Sequence, residues 1–458
     1  MTPTRSQLEQ WDRDHLWHPF TPMQAYAEEQ PLIIDRAHGC YLVDLDGNEY
    51  IDGVSSLWCN IHGHGVPELD EAVRRQLDAV AHTTLLGAAN VPAIRLARRL
   101  VELAPPGLTR VFYSDDGATA VEVALKMAFQ YWRQCPNPRP QKTRFLALQG
   151  AYHGDTLGDV SVGDLARFHH LFAPLLFPTV RAPSHYCYRC PLGLERKSCR
   201  IDCVEALAAL VRQHQETLAA VVLEPLMQAA AGMIPAPEGY LRRVREVTRE
   251  HDVLLIADEV AVGCGRTGSL LACSLENVVP DFLCLAKGLT GGYLPLAATL
   301  TTEEIFRAFL GRPEEGRTFY HGHTYTGNPL GAAVALASLD LLESAGTLAA
   351  LPEKVERLRQ RLARMSELPG VGDVRQQAFM AGIELVQDRT TKQPFPAAAR
   401  MGARVCRMAR DRGLLLRPLG DVVVVMPPLA IDLSLLDRLC DVLYNCLDEI
   451  SAQGSATH

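Results

Sequence analysis

Two segments of this sequence end in groups that can do chemistry. Residues 254–260, LLIADEV, are an apolar run that closes on two acids, and residues 282–287, FLCLAK, are an apolar run that closes on Lys287, followed by Gly288 and Gly291-Gly292. In an open sheet covered by helices, ligands bind outside the carboxyl ends of the strands, so both ends stand where a small molecule would. A lysine there is desolvated, gives up its proton more easily and becomes a nucleophile toward a carbonyl. A carboxylate at the neighbouring strand end, Asp258, can keep a pyridinium nitrogen protonated, the condition under which pyridoxal phosphate accepts electrons. Singly, Lys287 reads more readily as a snorkelling surface lysine and Asp258 equally well as an N-cap. As a pair on successive strands, each followed by a glycine-rich turn, they form one constellation.

Two further segments add to it. A phosphate is bound by backbone N–H groups at a helix start, and SDDGATAVEVALK, residues 114–126, runs from a strand into a helix through Gly117. It matches neither a Walker loop nor a dinucleotide fingerprint, which counts against nucleotide hydrolysis and hydride transfer. YHGDT, residues 152–156, offers in Tyr152 a ring to stack on a flat cofactor, beside an acid, Asp155.

The elements that must position these groups are legible as alternation. Residues 111–114, 145–148, 220–224, 253–258, 282–286 and 296–300 are short runs rich in Val, Ile, Leu or Ala, bounded by Gly, Pro or charge, and read as buried strands. Between them, residues 118–132 place Val121, Ala124, Leu125, Ala128 and Trp132 at helical spacing, and 238–252 follow Pro237, a favoured helix opener. Residues 329–343 read as an apolar helix, 352–365 as a charged one, and 451–458 as a loose tail. The fold class is α/β: a mostly parallel sheet with helices on both faces, plus a smaller α+β domain. The division expected is 1–69, an N-terminal segment of the small domain; 70–340, the large domain; and 341–458, the C-terminal small domain.

Composition narrows the partners. With 458 residues, 48% of them hydrophobic, and a net charge of −8 that is spread rather than blocked, the chain has no basic field for nucleic acid or anionic lipid, so small molecules are the expected partners. Residues 1–15 have no apolar core of a signal peptide, and no stretch approaches about eighteen uninterrupted apolar residues. These features and thirteen scattered cysteines place the protein in the cytoplasm with reduced thiols.

From about residue 15 to 428 the sequence resembles the class III aminotransferases. HLWHPFTPM (15–23), DGVSSLWCNIHGHG (52–65), DDGATAVEVALKMAFQYW (115–132), YHGDT, ADEVAVGCGRTG (257–268), AKGLTGGY (286–293), HGHTYTGNP (321–329) and LLRPLGDVVVVMPP (415–428) carry the resemblance. The tryptophan-bearing N-terminal and Arg-Pro C-terminal motifs are similar to the branch that converts 8-amino-7-oxononanoate to 7,8-diaminononanoate in biotin biosynthesis; another ω-amino-acid or diamine aminotransferase of the class is the alternative. The resemblance implies a pyridoxal-phosphate-dependent transferase of fold type I, a homodimer with its active site at the interface, working by two half-reactions. It implies Lys287 as Schiff-base lysine and proton shuttle, Asp258 on the pyridine nitrogen and Tyr152 stacked on the ring. Asp116, Gly117, His323 and Thr324 would surround the cofactor, Thr324 from the second subunit. Phe20, Trp58, Gly322 and Arg417 would bind substrate, Arg417 at its far carboxylate, with Asp155 and Arg266 on the donor side.

Three features depart from that pattern. Asp116 stands where similar sequences carry serine; a carboxylate repels a phosphate, so its side chain is expected to turn away and leave binding to backbone N–H groups. Phe20 and Val424 stand where tyrosine accompanies S-adenosylmethionine as amino donor, which favours L-lysine. Cys187, Cys190, Cys199 and Cys203 pair as CxxC and CxxxC and could close a zinc site, but the eight-residue gap between the pairs is short for one and the chemistry needs no metal. No metal is expected there, nor at His62, His64, His321 and His323, whose glycine-rich loops are read as packing.

Overall fold

The computed structural model describes residues 3–455. Its centre is a seven-stranded sheet of β1 (Leu108–Ser114), β2 (Arg144–Leu148), β3 (Thr179–Ala182), β4 (Leu218–Leu223), β5 (Leu254–Asp258), β6 (Phe282–Leu285) and β7 (Ala297–Thr302), in the order β1-β7-β6-β5-β4-β2-β3. From β3 to β6 every pairing is parallel; β7 alone runs against its neighbours β6 and β1. The six runs read from the sequence are all strands. The seventh, β3, was missed: it is a four-residue edge strand, only half of whose residues are buried, so it lacks the unbroken apolar run that betrays a central strand.

Alternation along the strands feeds two cores. Phe145, Ala147, Ala220, Val222, Ile256 and Phe282 face the helix α1 (Gly117–Gln134), in which all five residues picked out by spacing are buried. Leu146, Leu148, Val221, Leu223, Leu255 and Leu283 face the other way, against Asp202–His214 and Tyr240–Glu250 among others. The sheet is thus covered on both faces, which is what strands apolar at every position require.

Two helix starts differ from expectation. The helix after Pro237 begins at Tyr240, behind Gly239 at φ 84°, whose N–H is taken by Glu276. The charged helix runs over Thr347–Met365 and carries Pro352 inside it, its start set by Gly346 at φ 63°. The tail read as loose continues the last helix, Leu433–Ser455; residues 456–458 lie outside the described residues.

Two four-stranded sheets flank the centre. One joins Ile34–His38, Tyr41–Asp44 and Glu49–Asp52 to Leu414–Leu415, which pairs in parallel with Ile51 and Asp52. The other is built from Val371–Gln377, Met380–Leu385, Arg417–Leu419 and Val422–Val425. No single helix among the described residues is long and apolar enough to cross a membrane.

Candidate active site

Three adjacent strands end in ionisable groups at one edge of the sheet. In parallel register Leu223 lies beside Ala257 and Asp258 beside Cys284, so Glu224, Asp258 and Lys287 follow one another across β4, β5 and β6. Asp258 is 3% exposed; it accepts a hydrogen bond from His153 Nδ1 at 2.7 Å and from the Val260 N–H at 3.0 Å. Glu259, the other acid of the motif, is spent on the next turn, where it accepts the Ala272 and Cys273 N–H groups. Lys287 takes a left-handed backbone conformation, φ 28°, just after Ala286, and its Nζ lies 5.4 Å from the Trp58 ring centroid. Burial pushes its pKa below the usual lysine range, against the opposing pull of Asp258, Glu224 and Cys59.

The phosphate cup is the turn between β1 and α1. Asp116 is the N-cap of α1: its carboxylate accepts the Thr119 N–H at 2.8 Å, turned onto its own helix as expected. The N–H groups of Gly117 and Ala118 then remain for an anion, because the first turn of a helix offers them no acceptor. Gly117 cannot be larger, since a Cβ there would come within 2.4 Å of Val260 Cγ1. Tyr152 donates its hydroxyl to Asp155 at 2.8 Å. These groups line a cavity of about 690 Å³.

A second cavity of about 710 Å³ shares Trp58, Tyr152 and Lys287 with the first and leads out to Phe20, Val424 and Arg417. Arg417 has no acid partner among the described residues. Arg167 and Arg400, unremarked in the sequence, stand on the same wall, with one acid, Asp421. Trp58 reaches this position through a strained turn: Ser55, Ser56 and Trp58 all have positive φ, each costing of order 1–3 kcal/mol. Asp52, fully buried, holds the turn by accepting the Ser56 N–H at 2.8 Å and pairing with His64 at 3.0 Å.

Arg266 corrects the sequence reading. It lines neither cavity: it is 1% exposed, and its guanidinium donates to the carbonyls of Pro427 at 2.6 Å, Asn60 at 2.9 Å and Trp58 at 3.5 Å. The irregular turn around Trp58 leaves buried carbonyls that need donors, and Arg266 supplies them. Gly322 and Thr324 are exposed and absent from both cavity walls, whereas His323 pairs with Asp115, beside the cup, at 2.9 Å. His62 and His64 pack against Ser338 and Asp52. Among the described residues no group of three His, Cys, Asp or Glu side chains is arranged to hold a metal ion, and Cys187, Cys190, Cys199 and Cys203 are free.

Glu224 is the functional candidate that the sequence reading passed over. The signal was present: LAAVVLE is an apolar strand ending in an acid, like LLIAD, but Pro225 follows it instead of a glycine-rich turn.

A helix-start cup closed to any side chain at Gly117, a buried acid, a desolvated lysine and an aromatic ring on one cavity fit pyridoxal phosphate. Fold and site together define a pyridoxal-phosphate-dependent aminotransferase. Residues 23–447 match Aminotransferase class-III, and the chain belongs to that family. It is 52% identical to the adenosylmethionine-8-amino-7-oxononanoate aminotransferase of Geobacter sulfurreducens, over 97% of this chain and 98% of that one. The crystal structure of the enzyme of that name from Methanocaldococcus jannaschii superposes with a TM-score of 0.92 at 44% identity, covering 97% of this chain and 99% of that one. An amine transaminase from an uncultivated Pseudomonas species, in its PLP-bound form, superposes with a TM-score of 0.90 at 35% identity, over 95% of this chain and 99% of that one.

Proposed function

We propose that the protein transfers an amino group to 8-amino-7-oxononanoate, giving 7,8-diaminononanoate for biotin synthesis. The observation that carries this is Arg417, a guanidinium with no acid partner among the described residues that lines the same cavity as Lys287. Such a layout suits a long substrate with its reacting carbonyl at one end and a carboxylate at the other, which a planar guanidinium binds through two hydrogen bonds. The names of the relatives support the same substrate.

In this reading bound pyridoxal phosphate supplies the electron sink that lets the carbon bearing the amine lose a proton. Lys287 would be its attachment point, and Nζ, when not bonded to the cofactor, would be the base that holds the proton leaving the amine-bearing carbon and the acid that gives it up again within the site. Asp258, ordered by His153, would keep the ring nitrogen protonated, Tyr152 would stack on the ring, and Gly117 and the backbone beside Asp116 would hold the phosphate. Trp58 and Phe20 wall the substrate, and Asp155 orients Tyr152. Gly322, His323 and Thr324 complete the site across a homodimer interface, a reading supported by the exposure of Leu86, Tyr320 and Tyr325 on a lone chain. The division at residues 69 and 340 and a cytoplasmic location belong to the same proposal.

For the donor we favour L-lysine over S-adenosylmethionine, because the wall at Phe20 and Val424 offers no hydroxyl. Purified enzyme given the oxo acid and each donor in turn tests both points. Turnover with S-adenosylmethionine alone would overturn the donor, and no turnover of the oxo acid with either would overturn the substrate.

A further inference from the structure

Glu224 is out of place for an ordinary carboxylate. It is 6% exposed and lines the cavity beside Asp258 and Lys287. Its Oε1 accepts the Ala229 N–H at 2.9 Å, while Oε2 is buried with no hydrogen-bond partner among the described residues. Leaving a charged oxygen buried and unpartnered is costly, and a group so placed takes up a proton instead. The Ala229 N–H, Lys287 and the Tyr152 backbone N–H favour its ionised form, but they are outweighed: burial penalises any charge at all, and Asp258, on the next strand, repels a second negative charge. Burial, first, and Asp258, second, push the Glu224 pKa up to about 8.

We propose that Glu224 serves the site as an un-ionised carboxylic acid, its Oε2 carrying a proton and donating a hydrogen bond into the cavity, so that Lys287 faces one fixed negative charge and not two. The consequence lies in the lysine. Each ionised carboxylate pulls Nζ toward the ammonium, which has no lone pair with which to attack a carbonyl; with Glu224 neutral that pull is reduced, and the desolvation that lowers the Nζ pKa is opposed less. Glu224 is therefore a charge-balancing group for Lys287. This inference rests on Lys287 as the cofactor's attachment point.

Difference infrared spectroscopy of the enzyme as purified, wild type minus E224Q at neutral pH, tests it directly. The expected result is a protonated-carboxyl stretch present in wild type, missing in E224Q and fading as the pH of the wild-type sample is raised; absence of the band would overturn the proposal. The visible-absorbance titration of the lysine–cofactor linkage gives the second readout. E224Q mimics a neutral acid in shape and charge, so its midpoint should lie within about half a unit of wild type; a larger displacement would mean that Glu224 carries charge, and would overturn the proposal. If E224Q does not fold, E224A takes its place in the same difference spectrum, because burial also raises the pKa values of Asp159 and Glu259. If no visible band forms even in wild type, the attachment role of Lys287 fails, while the infrared result still stands or falls for Glu224.

Discussion

The floor of the cavity and its mouth are built by different means. At the floor, three consecutive buried strands deliver Glu224, Asp258 and Lys287 to one sheet edge, and each group is hydrogen-bonded, desolvated or pushed toward neutrality. At the mouth, Arg167, Arg400 and Arg417 come from short peripheral elements, and no described acid pairs with Arg417. The floor is fixed before any ligand arrives and holds reaction chemistry that any amine could use. The mouth is a partly solvated positive wall that, on the proposed function, would distinguish one carbon skeleton from another. Chemistry and selectivity would then occupy separate parts of the molecule.

That separation can be broken or sharpened by substitution. The largest effect belongs to the floor: Lys287→Ala removes the attachment point and the proton carrier together, and turnover should fall by roughly 10³-fold or more whichever donor is used. Residual activity dependent on the donor would show that the floor also selects. At the mouth, Arg417→Ala should lower kcat/KM for the oxo acid by about 10–100-fold, the value of a lost charged hydrogen bond. Single-turnover rates with a carboxylate-free amine donor should then show that half-reaction unchanged; an equal loss in both would merge floor and mouth. Gly117→Ala forces Val260 aside and should weaken cofactor retention by about 10-fold, read as loss of visible absorbance on dialysis. Smallest, Phe20→Tyr adds one hydroxyl to the wall and should move the ratio of rates with S-adenosylmethionine and lysine by less than about 10-fold toward the former.

The floor also predicts a pH dependence of stability in the cofactor-free protein. The Glu224 pKa rises to about 8 on folding, against about 4.3 for an unfolded glutamate. Between those values the folded state binds more protons than the unfolded one, so this group makes folding less favourable as pH rises through the window. The melting temperature of wild type relative to E224Q should fall between about pH 5 and pH 8; a constant difference would contradict the raised pKa.

The floor was legible in the sequence because its signals are local. An apolar run fixes a strand, the next residue fixes what stands at its end, and Lys287 and Asp258 are read from a handful of letters each. Glu224 had the same local signal and was missed for want of a glycine after it. The mouth was legible only where a motif carried it, as at Trp58 and Arg417. Arg167 and Arg400 look like any surface arginine until the cavity exists. Arg266 was misread because the carbonyls that claim it belong to residues 58, 60 and 427, and no local pattern tells which backbone will lack partners. The positive φ values at Ser55, Ser56 and Trp58 were equally hidden, since Asp52 and His64 hold them and glycine does not.

The pairing of Leu414–Leu415 with Ile51 and Asp52 sets an order of events during synthesis. The two strands are about 360 positions apart, and the first emerges from the ribosome long before the second exists. The strands of the floor, from β1 to β7, are all made in between. Each polypeptide is therefore given the residues of its floor before Arg417, and until residue 415 has been translated the sheet leading into the Trp58 turn lacks its fourth strand.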